Sequence, residues 1–259
     1  MAVLERRVFD ASQSCLNLYW KISVYKYIMK KKLLIIEPHS DDAMFAAGGY
    51  FLKLKQSNDY DFYFALVNAS DITMHHATVT RDQRIAEYQN YVDYFGGTFL
   101  RPEIDEFKLP IDFDSKLDTF PIAKLIKFVE TMINQVKPDV LMTMAPSFHQ
   151  DHRVLYEAVI AATRPTFHYS PSEILLMENP TYIHQLYPNM YSINNYVRLD
   201  ETLVDQKIEL IKQFFPSQIN ENRRGFLSLS SIKKWAQFRG FEAKSEFAEA
   251  FAIYNRIVF

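Results

Sequence analysis

The chain has few cysteines and few glycines, and both shortages limit what it can be. Among its 259 residues there is one cysteine, Cys15, so no disulfide can form within the chain. A lone cysteine is typical of proteins in a reducing compartment, and we therefore expect the protein to be cytoplasmic. Only six residues are glycine, so each one is a candidate for a turn or a close backbone contact.

The sequence also lacks a long apolar segment and a strong net charge. No run of about 18 uncharged apolar residues occurs, so we expect neither a transmembrane helix nor membrane insertion. The formal net charge is −2, which provides no electrostatic attraction to nucleic acid. Hydrophobic residues make up 48% of the chain, enough to form a buried core, and this excludes an intrinsically disordered protein.

The first 28 residues stand apart from the rest of the chain. Residues 29–36 read Met-Lys-Lys-Lys-Leu-Leu-Ile-Ile, which is typical of a protein start that runs directly into a first strand. We expect an N-terminal extension over residues 1–28 and a single domain over residues 29–259. Two interpretations of the first segment stay open: an added helix packed on the domain, or an extension that results from a wrongly assigned start.

Hydrophobic patterning predicts alternating strands and helices. Residues 33–37 and 140–144 are short continuous apolar runs, as expected for strands buried on both faces. Further strands are predicted at 62–67, 174–177 and 196–199, with an edge strand at the C-terminus. Helices are predicted at 42–57, 81–95, 122–136, 153–162, 201–215 and 231–239. This order is typical of an α/β protein, here a Rossmann-like three-layer sandwich with a mostly parallel sheet.

Two short polar segments follow two of the buried strands. Residues 38–42 read Pro-His-Ser-Asp-Asp, and residues 149–152 read His-Gln-Asp-His. Ligands of open α/β sheets bind beyond the carboxyl ends of the strands, so the two segments would face each other if their strands are neighbours. Two imidazoles and one carboxylate, with water in the fourth position, form a known type of catalytic zinc site.

Each of these residues has an ordinary interpretation when it is taken alone. Asp41 or Asp42 could cap the helix that follows. Asp151 could cap the helix predicted to begin at residue 153, and His149 could be a solvated loop residue. The joint occurrence of both segments at two strand ends favours the catalytic interpretation. No Walker A, GxSxG, GxGxxG or CxxC pattern occurs, so nucleotide, serine-hydrolase and redox functions have no support.

The two segments resemble motifs of the PIG-L/LmbE-like family of zinc-dependent N-deacetylases. The family pattern His-Pro-Asp-Asp-Glu, followed by Gly-Gly, corresponds to residues 39–43 and to the glycines at 48–49, and His-x-Asp-His corresponds to residues 149–152. Weaker similarities lie at residues 84–87, 217–218 and 248–251, so the resemblance covers roughly residues 31–255. Two positions depart from the pattern: Ser40 replaces proline, and Ala43 replaces an acidic residue.

The resemblance implies roles for individual residues. Asp41 would be the general base for the attacking water, His149 would stabilise the oxyanion or protonate the leaving amine, and Arg84 would reach the substrate hydroxyls. Zinc, or another divalent metal, would be the cofactor. The implied metal ligands are His39, Asp42 and His152, and the implied catalytic residues are Asp41, His149 and Asp151.

The resemblance also implies a reaction. The expected activity removes an acetyl group from the amine of an N-acetylated sugar of the N-acetylglucosamine type, either free or in a glycoconjugate. Two alternatives stay open: a zinc amidohydrolase that acts on a non-sugar amide, and a catalytically inactive relative that binds a sugar or a metal. A homo-oligomer is also left open, because the sequence does not indicate the oligomeric state.

The division of the chain at Met29 leads to a first prediction. Every candidate functional residue follows Met29, so a chain that begins there should fold and should match the full chain in melting temperature and hydrolase activity. Circular dichroism during heating measures the melting temperature. Insolubility, or a melting temperature lower by more than about 5 °C, would instead assign residues 1–28 to the core.

Overall fold

The computed structural model describes residues 30–74, 77–180, 191–219 and 228–258. The predicted extension, residues 1–28, lies outside these ranges. Among the described residues, no helix combines the length and the apolar character needed to cross a membrane. The helices and strands are, in chain order, β1 (Lys31–Glu37), α1 (Asp42–Ser57), β2 (Tyr60–Leu66), β3 (Ile72–Met74), β4 (Ala77–Val79), α2 (Arg81–Tyr94), β5 (Thr98–Phe99), β6 (Glu103–Ile104), β7 (Phe107–Lys108), α3 (Ile122–Val136), β8 (Val140–Met144), α4 (Gln150–Ala162), β9 (Glu173–Met177), β10 (Asn195–Leu199), α5 (Glu201–Phe214), α6 (Leu229–Glu242) and β11 (Phe247–Arg256).

Seven strands form one central sheet in the order β10-β11-β9-β8-β1-β2-β5. The five strands from β9 to β5 are parallel to one another. Strand β11 is antiparallel to both of its neighbours, β9 and β10. The predicted α/β fold with a mostly parallel sheet is therefore confirmed.

The predicted edge position of the C-terminal strand is wrong. Strand β11 lies inside the sheet between β9 and β10, and β10 forms the edge. The reason is that the first six residues of β11, numbers 247–252, are all buried. A strand without an exposed face is typical of the interior of a sheet that is covered on both sides.

Helices cover both faces of the sheet, and β1 contributes to both of the resulting cores. Its side chains alternate: Leu33 and Ile35 pack in the core that contains α1, α2, α5 and α6, whereas Leu34 and Ile36 pack in the core that contains α3 and α4. All four side chains are fully buried. This burial on two faces explains why β1 has a continuous apolar sequence and confirms the three-layer arrangement.

A buried ion pair links helix α1 to the sheet. Lys207 of α5 and Glu249 of β11 lie 2.7 Å apart, and both are buried. The carboxylate of Glu249 accepts hydrogen bonds from the backbone N–H groups of Gly49 and Tyr50, and the Lys207 ammonium donates to a carbonyl of the same helix. A Cβ at position 49 would lie 2.4 Å from Leu199 Cδ1. Close packing around the ion pair therefore explains this glycine in the middle of a helix.

The ion pair leads to a stability prediction. Substituting Lys207→Met leaves the Glu249 carboxylate buried without its cation, so the free energy of unfolding should fall by about 3–5 kcal/mol. The matched control is Lys212→Met on the same helix, because the exposed Lys212 forms its ion pair with the exposed Glu209, at 2.8 Å. That substitution should change the free energy by less than about 0.5 kcal/mol. Urea denaturation measures both values, and equal losses would contradict the prediction.

Candidate metal centre and active site

The two polar motifs meet at the carboxyl ends of β1 and β8. These strands are parallel neighbours, with Ile36 of β1 opposite Thr143 of β8. His39 follows β1, and His152 lies in the first turn of α4. The centres of their rings are 5.5 Å apart. The predicted convergence of the two segments is therefore confirmed.

Asp42 joins the two histidines. Its Oδ2 lies 2.9 Å from Nδ1 of His39 and 3.3 Å from Nε2 of His152, and all three residues are buried. Burial alone would raise the pKa of Asp42, but the charges of His152 and His39 hold that pKa well below its usual value. Two imidazole nitrogens that each lie within 3.3 Å of one carboxylate oxygen are the donor types of a catalytic divalent-metal site. These residues therefore fit a divalent metal.

Hydrogen bonds orient both imidazoles. Nε2 of His39 lies 3.0 Å from Oδ2 of Asp151, and Nδ1 lies 2.9 Å from Oδ2 of Asp42. If a metal bound Nδ1, the contact with Asp151 would keep the remaining ring proton on Nε2. Ser147 Oγ lies 3.1 Å from Nδ1 of His152, so Nε2 of His152 faces the site. Asp151 is fully buried and also accepts hydrogen bonds from two backbone N–H groups. Asp151, predicted as a catalytic residue, thus lies behind the candidate ligand His39, where it can orient the imidazole.

Two asparagines donate hydrogen bonds to the aspartates of the site, and the motifs did not indicate either of them. Asn68 Nδ2 donates to Oδ2 of Asp151 at 3.3 Å, and Asn179 Nδ2 donates to Oδ1 of Asp42 at 2.6 Å. Each asparagine lies two residues beyond the end of a parallel strand, β2 or β9. A polar residue just beyond a strand end at this edge of the sheet was the one signal that could have found them.

Arg84 lies beside the site and is held by protein groups. Its guanidinium forms an ion pair with Asp114 and donates to the carbonyl of Ser70. Asp114 Oδ1 in turn lies 3.5 Å from Nε2 of His39. Asp114 therefore links Arg84 to His39 of the candidate metal centre. Sequence reasoning missed Asp114 because a single aspartate in a loop carries no distinctive pattern.

Asp41 stands at the N-terminal end of α1, but its side chain does not cap the helix by a hydrogen bond. Burial raises the pKa of Asp41 to about 6, and the negative charge of Asp42 acts in the same direction. Because its side chain makes no capping hydrogen bond, the interpretation of Asp41 as a helix cap loses its support. Its carboxylate lies between two candidate ligands in the chain, His39 and Asp42.

His149 caps helix α4, which corrects the predicted start of this helix. The helix begins at Gln150 and not at residue 153, because Nδ1 of His149 accepts a hydrogen bond from the backbone N–H of Asp151 at 3.2 Å. The His149 ring lies 4.6 Å from that of His39 and 5.1 Å from that of His152. Burial and the charges of these two histidines lower the pKa of His149 to about 4. The ring is therefore neutral at pH 7, with its proton on Nε2.

The carboxylate of Glu37 contacts Ala43, the position at which the first motif lacks the acidic residue of the family pattern. The backbone N–H of Ala43 donates to Oε2 of Glu37 at 2.8 Å, and the hydroxyl of Tyr88 donates to Oε1 at 2.7 Å. Glu37 is fully buried, and this burial raises its pKa well above the usual value. Strand β1 thus supplies an acidic side chain beside a position where the family carries one.

A match in sequence establishes the family of this chain. A sequence model of the PIG-L family, GlcNAc-PI de-N-acetylase, matches residues 34–163, which is half of the chain and includes both motifs. The chain belongs to the PIG-L family. A comparison with curated proteins gives no match.

Solved structures similar to this PIG-L protein share its fold at low sequence identity. N,N'-diacetylchitobiose deacetylase from Pyrococcus horikoshii is 18% identical with a TM-score of 0.65, over 96% of this chain and 94% of that one. The zinc-inhibited form of teicoplanin deacetylase is 14% identical with a TM-score of 0.61, over 86% and 97%. The 4-carboxy-2-hydroxymuconate hydratase from Pseudomonas putida is 18% identical with a TM-score of 0.60, over 88% and 98%. The fold therefore serves both deacetylases and a hydratase.

The donor geometry predicts that the protein binds about one divalent metal ion per chain. The variants His39→Ala and His152→Ala each remove a donor, so both should lose the metal, which elemental analysis after dialysis measures. Their metal-free forms should still fold, because the sheet core does not include these side chains. The control is His168→Ala at an exposed histidine, which should keep the metal. Full metal content in both site variants would exclude this ligand set.

Proposed function

We propose that this PIG-L protein is a metal-dependent N-deacetylase. Its substrate would be an N-acetylated sugar of the N-acetylglucosamine type, either free or in a glycoconjugate. The observation that carries the proposal is the meeting of two imidazoles and a carboxylate around one point, with Asp41 and His149 beside them. The family and the deacetylases among the similar structures support the same reaction.

The metal would be held by His39 Nδ1, Asp42 Oδ2 and His152 Nε2, and we propose zinc, which this donor set suits. When bound, such an ion polarises a carbonyl group and lowers the pKa of water to roughly 7. Asp151 holds the proton of His39 at Nε2 through the 3.0 Å contact, which keeps Nδ1 directed toward the metal position. We therefore propose Asp151 as a positioning residue.

Asp41 is proposed to accept the proton of the attacking water. Its carboxylate is not engaged in capping α1, and it adjoins the ligand Asp42 in the chain. The proton then passes to the amide nitrogen while the C–N bond breaks, so the products are acetate and a free amine. General acid–base catalysis of this kind contributes about 10²–10⁴ in rate.

His149 is proposed to stabilise the negative charge that develops on the carbonyl oxygen. Its Nδ1 accepts a hydrogen bond from the backbone N–H of Asp151, so the proton of the neutral ring is on Nε2. From Nε2 this proton can be donated in a hydrogen bond to the carbonyl oxygen. A fixed donor of this type typically contributes about 10²–10³ in kcat.

Arg84 is proposed to donate a hydrogen bond to a sugar hydroxyl. Its Nη1 donates hydrogen bonds to Asp114 and to the carbonyl of Ser70. The ion pair with Asp114 fixes the plane of the guanidinium, so the remaining donors are preorganised.

The proposal concerns a single catalytic domain over residues 29–259, with residues 1–28 as an extension. The single cysteine supports a cytoplasmic protein. A homo-oligomer is an additional proposal that analytical ultracentrifugation can test.

An acetate-release assay tests the proposed reaction. The zinc-loaded full chain is incubated with N-acetylglucosamine, N,N'-diacetylchitobiose, an N-acetylglucosamine glycoside, a nucleotide sugar carrying N-acetylglucosamine, and two non-sugar acetamides, with metal-free protein as the control. We expect acetate from at least one sugar and none from the non-sugar amides. Equal release from non-sugar amides would indicate a different amidohydrolase. Metal binding without acetate from any compound would indicate an inactive relative.

The role of Asp41 leads to a kinetic prediction. The variant Asp41→Asn keeps the size of the side chain but cannot accept the proton, so kcat should fall by about 10²–10⁴ while metal content is retained. The matched control is Asp200→Asn, because Asp200 does cap its helix by accepting a hydrogen bond from the backbone N–H of Leu203. Asparagine caps equally well, so this control should keep its rate. Near-normal turnover of Asp41→Asn would contradict the base role.

A further inference from the structure

The carboxylate of Asp42 has two oxygens with different surroundings. Oδ2 faces Nδ1 of His39 at 2.9 Å and Nε2 of His152 at 3.3 Å. Oδ1 accepts a hydrogen bond from Nδ2 of Asn179 at 2.6 Å. One oxygen is therefore directed at the metal position, and the other is occupied by an amide donor.

Asn179 is fixed by the structure around it. It lies two residues beyond β9, which is paired on both sides, with β8 and with β11. The preceding residue, Glu178, accepts hydrogen bonds from Nε and Nη2 of Arg239 and from the indole N–H of Trp235. Glu178 and Asn179 are both buried. An amide that directly follows a paired strand and a residue held in a buried ion pair has little freedom to turn, so its direction is set before a ligand binds.

We propose that Asn179 is a positioning residue of the metal centre, which commits Asp42 to bind the metal through Oδ2 alone. An N–H donor on Oδ1 reduces the availability of that oxygen for the metal and resists rotation of the carboxylate. Without the donor, the carboxylate is free to turn or to bind through both oxygens. The inference rests on the proposed function only in that it requires a metal at His39, Asp42 and His152.

The test compares metal affinity and metal geometry in the full chain. The variants are Asn179→Ala and Asn179→Leu, and leucine keeps the approximate volume of the side chain but has no hydrogen-bond donor. The control is Asn194→Ala, because Asn194 is an exposed asparagine that is hydrogen-bonded to the backbone of Ile253. Competition with a chromophoric chelator measures the zinc dissociation constant. Substitution of Co²⁺ for zinc reports the geometry through its d–d absorption.

Both Asn179 variants should weaken zinc binding by about 10–100-fold, and the Co²⁺ absorption should lose intensity as the carboxylate binds through both oxygens. The control should match the wild-type protein in both measurements. A merely structural asparagine would lower the melting temperature of the metal-free protein and leave the dissociation constant and the spectrum unchanged, which would overturn the inference. Wild-type protein that binds no metal would instead overturn the proposed function itself, and the inference with it.

Discussion

The parallel pairing of β1 with β8 is the constraint on which the candidate site depends. Parallel strands end at the same edge of a sheet, so the residues that follow them are brought together although the two motifs are more than 100 positions apart. The register places Ile36 opposite Thr143 and so brings His39 near His152. Packing on both faces of β1 fixes this register, because a slip by one residue would exchange the side chains of the two cores.

Buried polar groups are the second theme of this structure, and two buried carboxylates beside the donor atoms have several hydrogen-bond partners each. The carboxylate of Asp42 meets two imidazoles and the amide of Asn179, and the carboxylate of Asp151 meets His39 and backbone N–H groups. A buried polar group without a partner is costly, whereas a satisfied network is rigid. The protein can therefore hold the donor atoms near a common point before a metal arrives, which reduces the reorganisation that binding requires.

Local patterns were sufficient to predict the parallel sheet, both motifs and the convergence of the motifs. Each of these depends on a short segment, such as the apolar run of β1 or the spacing of the histidines. The inner position of β11 could not be predicted, because it depends on which strands become neighbours. The contact of Asn179 with Asp42 could not be predicted for the same reason, since these residues follow different strands. The capping role of His149, which accepts the backbone N–H of Asp151, was missed because histidine is not among the residues that commonly cap helices.

The central claim is that a divalent metal lies on the Nδ1 side of His39. The structure contains a competing set of donors on the other side, where Asp114 and Asp151 surround Nε2. Anomalous diffraction at the metal absorption edge, measured on crystals of the metal-loaded protein, separates the two positions directly. The account predicts one peak within about 2.0–2.2 Å of His39 Nδ1, Asp42 Oδ2 and His152 Nε2. A peak between His39 Nε2 and the carboxylates of Asp114 and Asp151 would contradict it.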